Sequence, residues 1–266
     1  EDSRSGWLAT AKGGGMSPVV GRCAGVAQWW RTAVLMAPLA FLALFFFYPL
    51  FEMLRLSLAP DGRLDLAPVA VLVQQSYYGR VLWFTTWQAA VSTLLTLALG
   101  LPAAYVFARY TFPGKTVLRA LSTIPFVLPT VVVAAAFSAL LGPNGEVNRW
   151  LMQVFHLHQP PVQLQQTIWM ILLAHVFYNA TIVLRMVGGF WANLDPRLEQ
   201  AAAVLGASRW RVFREITLPL LRPSLLAAAL LVFLFCFTSF GVILILGGPR
   251  FATLEVEIYR QAVNLF

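Results

Sequence analysis

Long runs without a charged residue constrain this chain more than any other feature. Thr32–Phe51 holds 20 uncharged residues, Val81–Ala108 holds 28, Ala120–Gly145 holds 26, Trp150–Leu184 holds 35 and Pro223–Pro249 holds 27. A helix needs about 20 apolar residues to cross the hydrocarbon core of a bilayer. The fourth run is too long for one helix, and its first half, FHLHQPPVQLQQ, is polar and contains two prolines. Phe155–Gln166 therefore reads as a loop and Thr167–Gly188 as the helix. The result is an all-α, polytopic transmembrane bundle with five spans, at about 32–54, 81–108, 120–141, 167–188 and 223–246.

Helices are required because backbone groups in lipid must find their partners within the segment, and no series of alternating ten-residue strands suggests a barrel. Composition agrees: 59% of the residues are hydrophobic and 11% charged, against roughly a quarter charged in soluble domains. The net charge of +8 does not imply nucleic acid, because the basic residues sit in short segments between apolar runs, with no basic stripe interleaved with aromatics. Pro38, Pro49, Pro102, Pro125 and Pro129 fall inside the spans and predict kinks rather than breaks. IPFVLPT should bend the third span.

Lys and Arg set the orientation. The segments before span 1, between spans 2 and 3 and between spans 4 and 5 hold 4, 3 and 5 basic residues, against 6 in the alternate segments. That bias places the N-terminal segment 1–31 and the 189–222 loop in the cytoplasm. Residues 1–15 read as an artefact upstream of a true start at Met16. Cys23 and Cys236 read as two free thiols. The chain closes on AVNLF without a polar tail, so a sixth helix is expected beyond it, with the transmembrane domain 32–266 interrupted at its C-terminus.

The segment from Asn193 to Ser224 reads NLDPRLEQAAAVLGASRWRVFREITLPLLRPS. Asp195 suits an N-cap before Pro196 at the first helical position, LEQAAAVL is strongly helix-forming, and Gly206 punctuates it. SRWRVFREI then starts a second amphipathic piece with an apolar face of Leu205, Trp210, Phe213 and Ile216, ended by Pro219 and Pro223. Physical reading alone gives a helix–turn–helix at the cytoplasmic surface, which an interfacial helix resting on headgroups also satisfies.

Gln200-Ala201-Ala202, three residues, Gly206, nine residues, Ile216, one residue, Leu218-Pro219 resembles the EAA loop of the membrane subunits of binding-protein-dependent ABC importers. The motif's Glu is Gln200 here, with Glu199 one place earlier. RYTFPGK, IPFVLPTVVVAAAF and LGGPRFATLEVEIYRQA are similar to the ferric-iron and thiamine branch, whose members often join two halves in one chain. The resemblance implies a type I importer permease of the bacterial inner membrane. Its ATPase-docking loop would comprise Glu199, Gln200, Ala201, Ala202, Gly206, Ile216, Leu218 and Pro219. It implies an ABC ATPase dimer, an extracytoplasmic solute-binding protein, a second permease half or subunit and membrane lipid as partners, with no cofactor. Ferric iron or thiamine would be the cargo; polyamine, sulfate or another anion, or a non-transport scaffold, are the alternatives.

Polar residues inside the spans are candidates for a translocation path, above all His175, Asn179, Thr238 and Ser239, with Thr85, Ser92, Thr123 and Ser138 beside them. Interhelical hydrogen bonding is the competing role for His175 and Asn179, one helical turn apart. His156 and His158 form an HxH on the predicted outer loop, but two ligands do not make a metal site. No phosphate loop, nucleophile elbow or zinc helix occurs, so ATP hydrolysis belongs to another chain.

Overall fold

The computed structural model describes residues 34–59, 62–63 and 65–265. The N-terminal segment 1–31, with its proposed artefact and start site, lies outside the described residues. The chain divides into two compact units, Glu1–Gln74 and Gln75–Phe266. The first contains α1 (Val34–Leu58), an apolar helix long enough to cross a membrane, and the short α2 (Ala67–Gln74). No residue of α1 is buried. A helix this apolar over most of its length is suited to lipid rather than to water.

The second unit is built on α3 (Ser76–Arg109), α8 (Ile168–Ala192) and α10 (Arg209–Phe237). Between α3 and α8 lie α4 (Lys115–Leu121), α5 (Ile124–Val127), α6 (Thr130–Leu141) and α7 (Glu146–Phe155). The short α9 (Pro196–Val204) joins α8 to α10; α11 (Phe240–Arg250) and α12 (Leu254–Leu265) follow. Among the described residues, and counting α1, five helical stretches are long and apolar enough to cross a membrane; the third, Thr130–Phe155, contains the turn at Gly142–Gly145. The expected all-α bundle of five spans is what the structure shows.

α8 is the centre of this unit. One apolar cluster joins its Val183, Val187 and Trp191 to Ala89 of α3 and to Leu221, Ala228, Val232 and Cys236 of α10. A second joins Met170, Ile171 and Ala174 at its other end to Ala134, Val242, Ile243, Leu246 and Val256. Small residues let the backbones of α3 and α8 approach: a Cβ on Gly100 would stand 2.9 Å from Val183 Cβ, and one on Gly188 would stand 3.5 Å from Ala104 Cα. Without a hydrophobic drive between helices in lipid, such close packing is what holds spans together.

Several boundaries differ from the sequence reading, for physical reasons. IPFVLPT breaks the third span instead of bending it: Leu128, before Pro129, is extended at φ −67°, ψ 137°, the conformation that a following proline enforces. Pro219 and Pro223 lie inside α10 and do not end a separate piece. SRWRVFREI therefore runs unbroken into the helix of the fifth span, and that helix begins at Arg209. That helix stops at Phe237, because Thr238 (ψ 28°) and Ser239 (ψ 89°) leave the helical region. Among the described residues, three wide π turns occur, at Ala43–Phe47, Phe213–Thr217 and Ile243–Gly247. Each ends two residues before a proline (Pro49, Pro219, Pro249). A proline ring clashes with the carbonyl four residues back, and in all three cases that carbonyl lies in the widened turn.

Candidate functional site

The loop between α8 and α10 is built from local signals that start and stop its helices. Asp195 caps α9, its Oδ1 accepting from the Arg197 amide at 2.9 Å, and Pro196 takes the first helical position. At the other end Gly206 sits at φ +84°, in the left-handed region. The Gly206 amide donates to the Ala203 carbonyl at 3.0 Å and the Ala207 amide to the Ala202 carbonyl at 3.1 Å. These two bonds form the Schellman stop, which glycine enters without a Cβ penalty. Ser208 then caps α10, its Oγ accepting from the Arg211 amide at 3.3 Å.

A polar clasp ties this loop to two spans. The Glu199 carboxylate accepts from the Arg109 guanidinium at the end of α3 and from Thr217 Oγ1 in α10, the latter at 2.8 Å. The Thr217 side is buried, and the Arg109 and Glu199 side chains are 19% and 31% exposed, so solvent screens this pair less than a surface ion pair. Alongside runs a row of rings: Trp210 stacks on Phe213 at 5.7 Å, Phe213 on Trp191 at 6.2 Å, and Trp191 tilts against Tyr105 at 5.2 Å. These rings and Gln200 border an open cavity of about 950 Å³.

Within this loop the predicted residues separate into an inward and an outward set. Glu199 faces the clasp, whereas Gln200, Ala201 and Gly206 are exposed and Ala202 is half-buried. Ile216, Leu218 and Pro219 are half-buried against the bundle. The expected apolar face needs correction. Leu205 is 87% exposed and Trp210 68% exposed, and the residues that bury are Val212 and Thr217. Leu205 leaves that face because the left-handed Gly206 turns the chain between it and α10. Sequence reasoning missed three participants: Arg109, Thr217 and Val204, the last also 87% exposed. The i, i+18 pairing of Glu199 with Thr217 is legible only once the turn at Gly206 folds one helix onto the other.

The candidate path residues divide as well. His175 is buried, with Nδ1 2.9 Å from Ser92 Oγ of α3 and Nε2 2.8 Å from Ser239 Oγ beyond α10. Asn179 donates to the His175 carbonyl at 2.9 Å, and Gln88 donates to the Cys236 carbonyl at 2.8 Å. Ser239 joins this network, while Thr238 is exposed and turns its hydroxyl back to the Leu234 carbonyl at 2.9 Å. The arrangement braces the broken turn at residues 238–239 from two neighbouring helices. Exchanging His175 for Leu removes two interhelical bonds, each worth about 0.6 kcal/mol in a membrane. A modest fall in the thermal unfolding midpoint of the detergent-solubilised protein is expected; an unchanged midpoint would show that the bonds contribute nothing. Beyond the membrane helices, His156 takes φ +50° as the left-handed C-cap of α7.

Residues 96–262 match the family described as binding-protein-dependent transport system inner membrane component. This chain belongs to that family. The permease is 35% identical over 188 residues to the thiamine transport system permease protein of Brucella abortus, covering 70% of this chain and 34% of that protein. It is 35% identical over 190 residues to the corresponding Escherichia coli protein, again covering 70% and 34%. To the sulfate transport system permease protein of Escherichia coli it is 34% identical over 164 residues, 62% of this chain and 57% of that one. The aligned region thus spans about a third of the length of the thiamine relatives. The fold is shared with a bacterial ABC transporter involved in alginate import, at TM-score 0.74 and 18% identity, over 90% of this chain and 85% of that one. The permease is a multi-pass inner-membrane component of a binding-protein-dependent transport system. The ferric-iron expectation finds no support among these relatives.

Proposed function

We propose that this permease couples ATP hydrolysis by a partner ATPase dimer to uptake of a small solute delivered by an extracytoplasmic binding protein, and that residues 195–206 are its ATPase-docking element. The N-terminus and this loop are cytoplasmic in that reading, a second permease half or subunit completes the pathway, and thiamine is the cargo. One observation supports it above others: a short helix, stopped at both ends and clasped to two spans, holds Val204 and Leu205 out at 87% exposure each. A rigid apolar knob of this kind is costly to leave in water and fits a groove on another protein.

Gly206 provides the test. A Cβ there would meet no atom of the permease within 4 Å, although φ is +84°. Gly206→Ala and Gly206→Trp therefore share the same backbone strain of about 1 kcal/mol, and only the Trp adds bulk, on a surface that is empty in the permease itself. The full-length transporter should lose far more transport-coupled ATPase activity with Trp than with Ala, while both insert normally. Equal activity of the two variants would rule out close docking at this point.

Cargo is decided separately, by uptake into proteoliposomes of radiolabelled thiamine and sulfate with the cognate binding protein. The sulfate reading rests on the relative covered over 57% of its length. Accumulation of sulfate and not thiamine would select it.

A further inference from the structure

Helix α7 is mounted in a way that a continuation of the third span does not explain. Its amide-bearing Asn148 is fully buried and makes three hydrogen bonds: Nδ2 donates to the Gly142 and Val162 carbonyls at 2.8 and 2.7 Å, and Oδ1 accepts from the Val162 amide at 2.8 Å. The turn before it admits only glycine at two places. A Cβ on Gly142 would lie 2.3 Å from the Ser138 carbonyl oxygen, and one on Gly145 would lie 2.6 Å from that of Leu140. The helix is thus pinned on one side to the turn it follows and to the loop that leads into α8.

Around its axis α7 has three sectors. Val147, Asn148, Leu151 and Met152 turn inward and are buried or half-buried. Glu146, Arg149 and Gln153 form an exposed polar sector, with Arg149 paired to Glu146. Trp150 and Val154, one turn apart, form an exposed apolar sector at 60% and 51% exposure, and Phe155 follows at 61%. Ten residues make a helix of about 15 Å, half of what a hydrocarbon core of about 30 Å requires. Polar and apolar sectors lying side by side on a short, fixed helix match the water–lipid boundary, where Trp is enriched. On α6, Val131, Val132 and Leu140 are likewise 64%, 52% and 47% exposed.

We propose that α7 lies in the plane of the membrane, its Trp150–Val154 sector seated among phospholipid headgroups and upper acyl chains, and that the third crossing is made by the residues before Gly142. The occupant of the apolar sector is phospholipid, at the outer leaflet if the proposed orientation of the permease holds.

The test uses the full-length transporter in phospholipid nanodiscs, with Cys23→Ala and Cys236→Ala as background and a nitroxide at Val154→Cys or Gln153→Cys. Collision with oxygen, which partitions into lipid, is compared with collision with a water-soluble nickel chelate. The label at 154 should collide more with oxygen than with the chelate, and the label at 153 more with the chelate than with oxygen. Equal chelate access at both positions overturns the proposal, since the sector then faces water. Shielding of 154 from both reagents also overturns it, whether standing or induced by the solute-binding protein, because the sector is then a protein contact. A membrane-impermeant thiol reagent applied outside sealed cells separates the orientation: labelling of Gln153→Cys only after permeabilisation reverses the leaflet and leaves the oxygen–chelate contrast to decide the lipid contact.

Discussion

Replacing Glu199 with Ala should abolish most transport by the full-length transporter while leaving the protein in the membrane. The carboxylate is the shared acceptor of Arg109 and Thr217, so its loss frees α9 from two spans and leaves a guanidinium that is only 19% exposed without its partner. Coupling between distant sites typically amounts to 1–3 kcal/mol, so a fall of roughly 5- to 150-fold in transport is expected. Gln200→Ala, at the exposed neighbouring position, should change transport much less through this route. Thr217→Val removes the hydroxyl that donates to Glu199 and keeps the shape, and should fall between them. Uptake and ATPase rates measured in proteoliposomes decide the matter. If Glu199→Ala transports normally and Gln200→Ala does not, the clasp is not the link between loop and bundle.

The second large effect is expected at the contact of α3 with α8. Gly100→Leu would place a Cβ 2.9 Å from both Cβ and Cγ1 of Val183, and Val183 is a β-branched side chain with no exposed surface, so it cannot swing away. Overpacking of this kind costs about 1–3 kcal/mol in a well-packed core, enough to part the two spans that carry the first apolar cluster. The detergent-solubilised protein should lose monodispersity on size exclusion and unfold at a clearly lower temperature. Gly189 is the control, because a Cβ there meets nothing within 4 Å; Gly189→Leu should behave as the parent does. Pairing Gly100→Ala with Val183→Ala should recover the loss seen with Gly100→Ala alone. A Gly100→Leu protein as stable as the parent would mean that these helices do not meet at residue 100.

Much of this architecture was legible from residue order because its causes are local. Charge-free runs mark crossings whatever else the chain does, and Asp195, Pro196 and Gly206 each act through their own backbone. Boundaries were less legible where a proline was at issue. Pro129 breaks its span and Pro219 does not, and the difference lies in the turn that precedes each one. The clasp was hidden for another reason. Arg109, Glu199 and Thr217 are 90 and 18 residues apart in their pairings, and nothing in their separate neighbourhoods announces the meeting. The motif comparison drew attention to Gln200 with Glu199 beside it, and of the two it is Glu199 that bonds to the neighbouring spans while Gln200 is exposed. The polar residues of the spans were legible as a set but not by role: only packing shows that His175 and Ser239 brace a broken turn while Thr238 stands outside it.

The clasp also acts as a ruler. Glu199 and Thr217 are joined through a left-handed stop, a capped start and one widened turn, with no slack segment among them. One residue added or removed between Gly206 and Thr217 would rotate the threonine by about 100° around its helix and carry its hydroxyl off the carboxylate. This stretch therefore tolerates changes of side chain far better than changes of length. Its distance from α3 is set by counting residues, and a loop that keeps count so strictly passes displacement from one end to the other with little lost in bending.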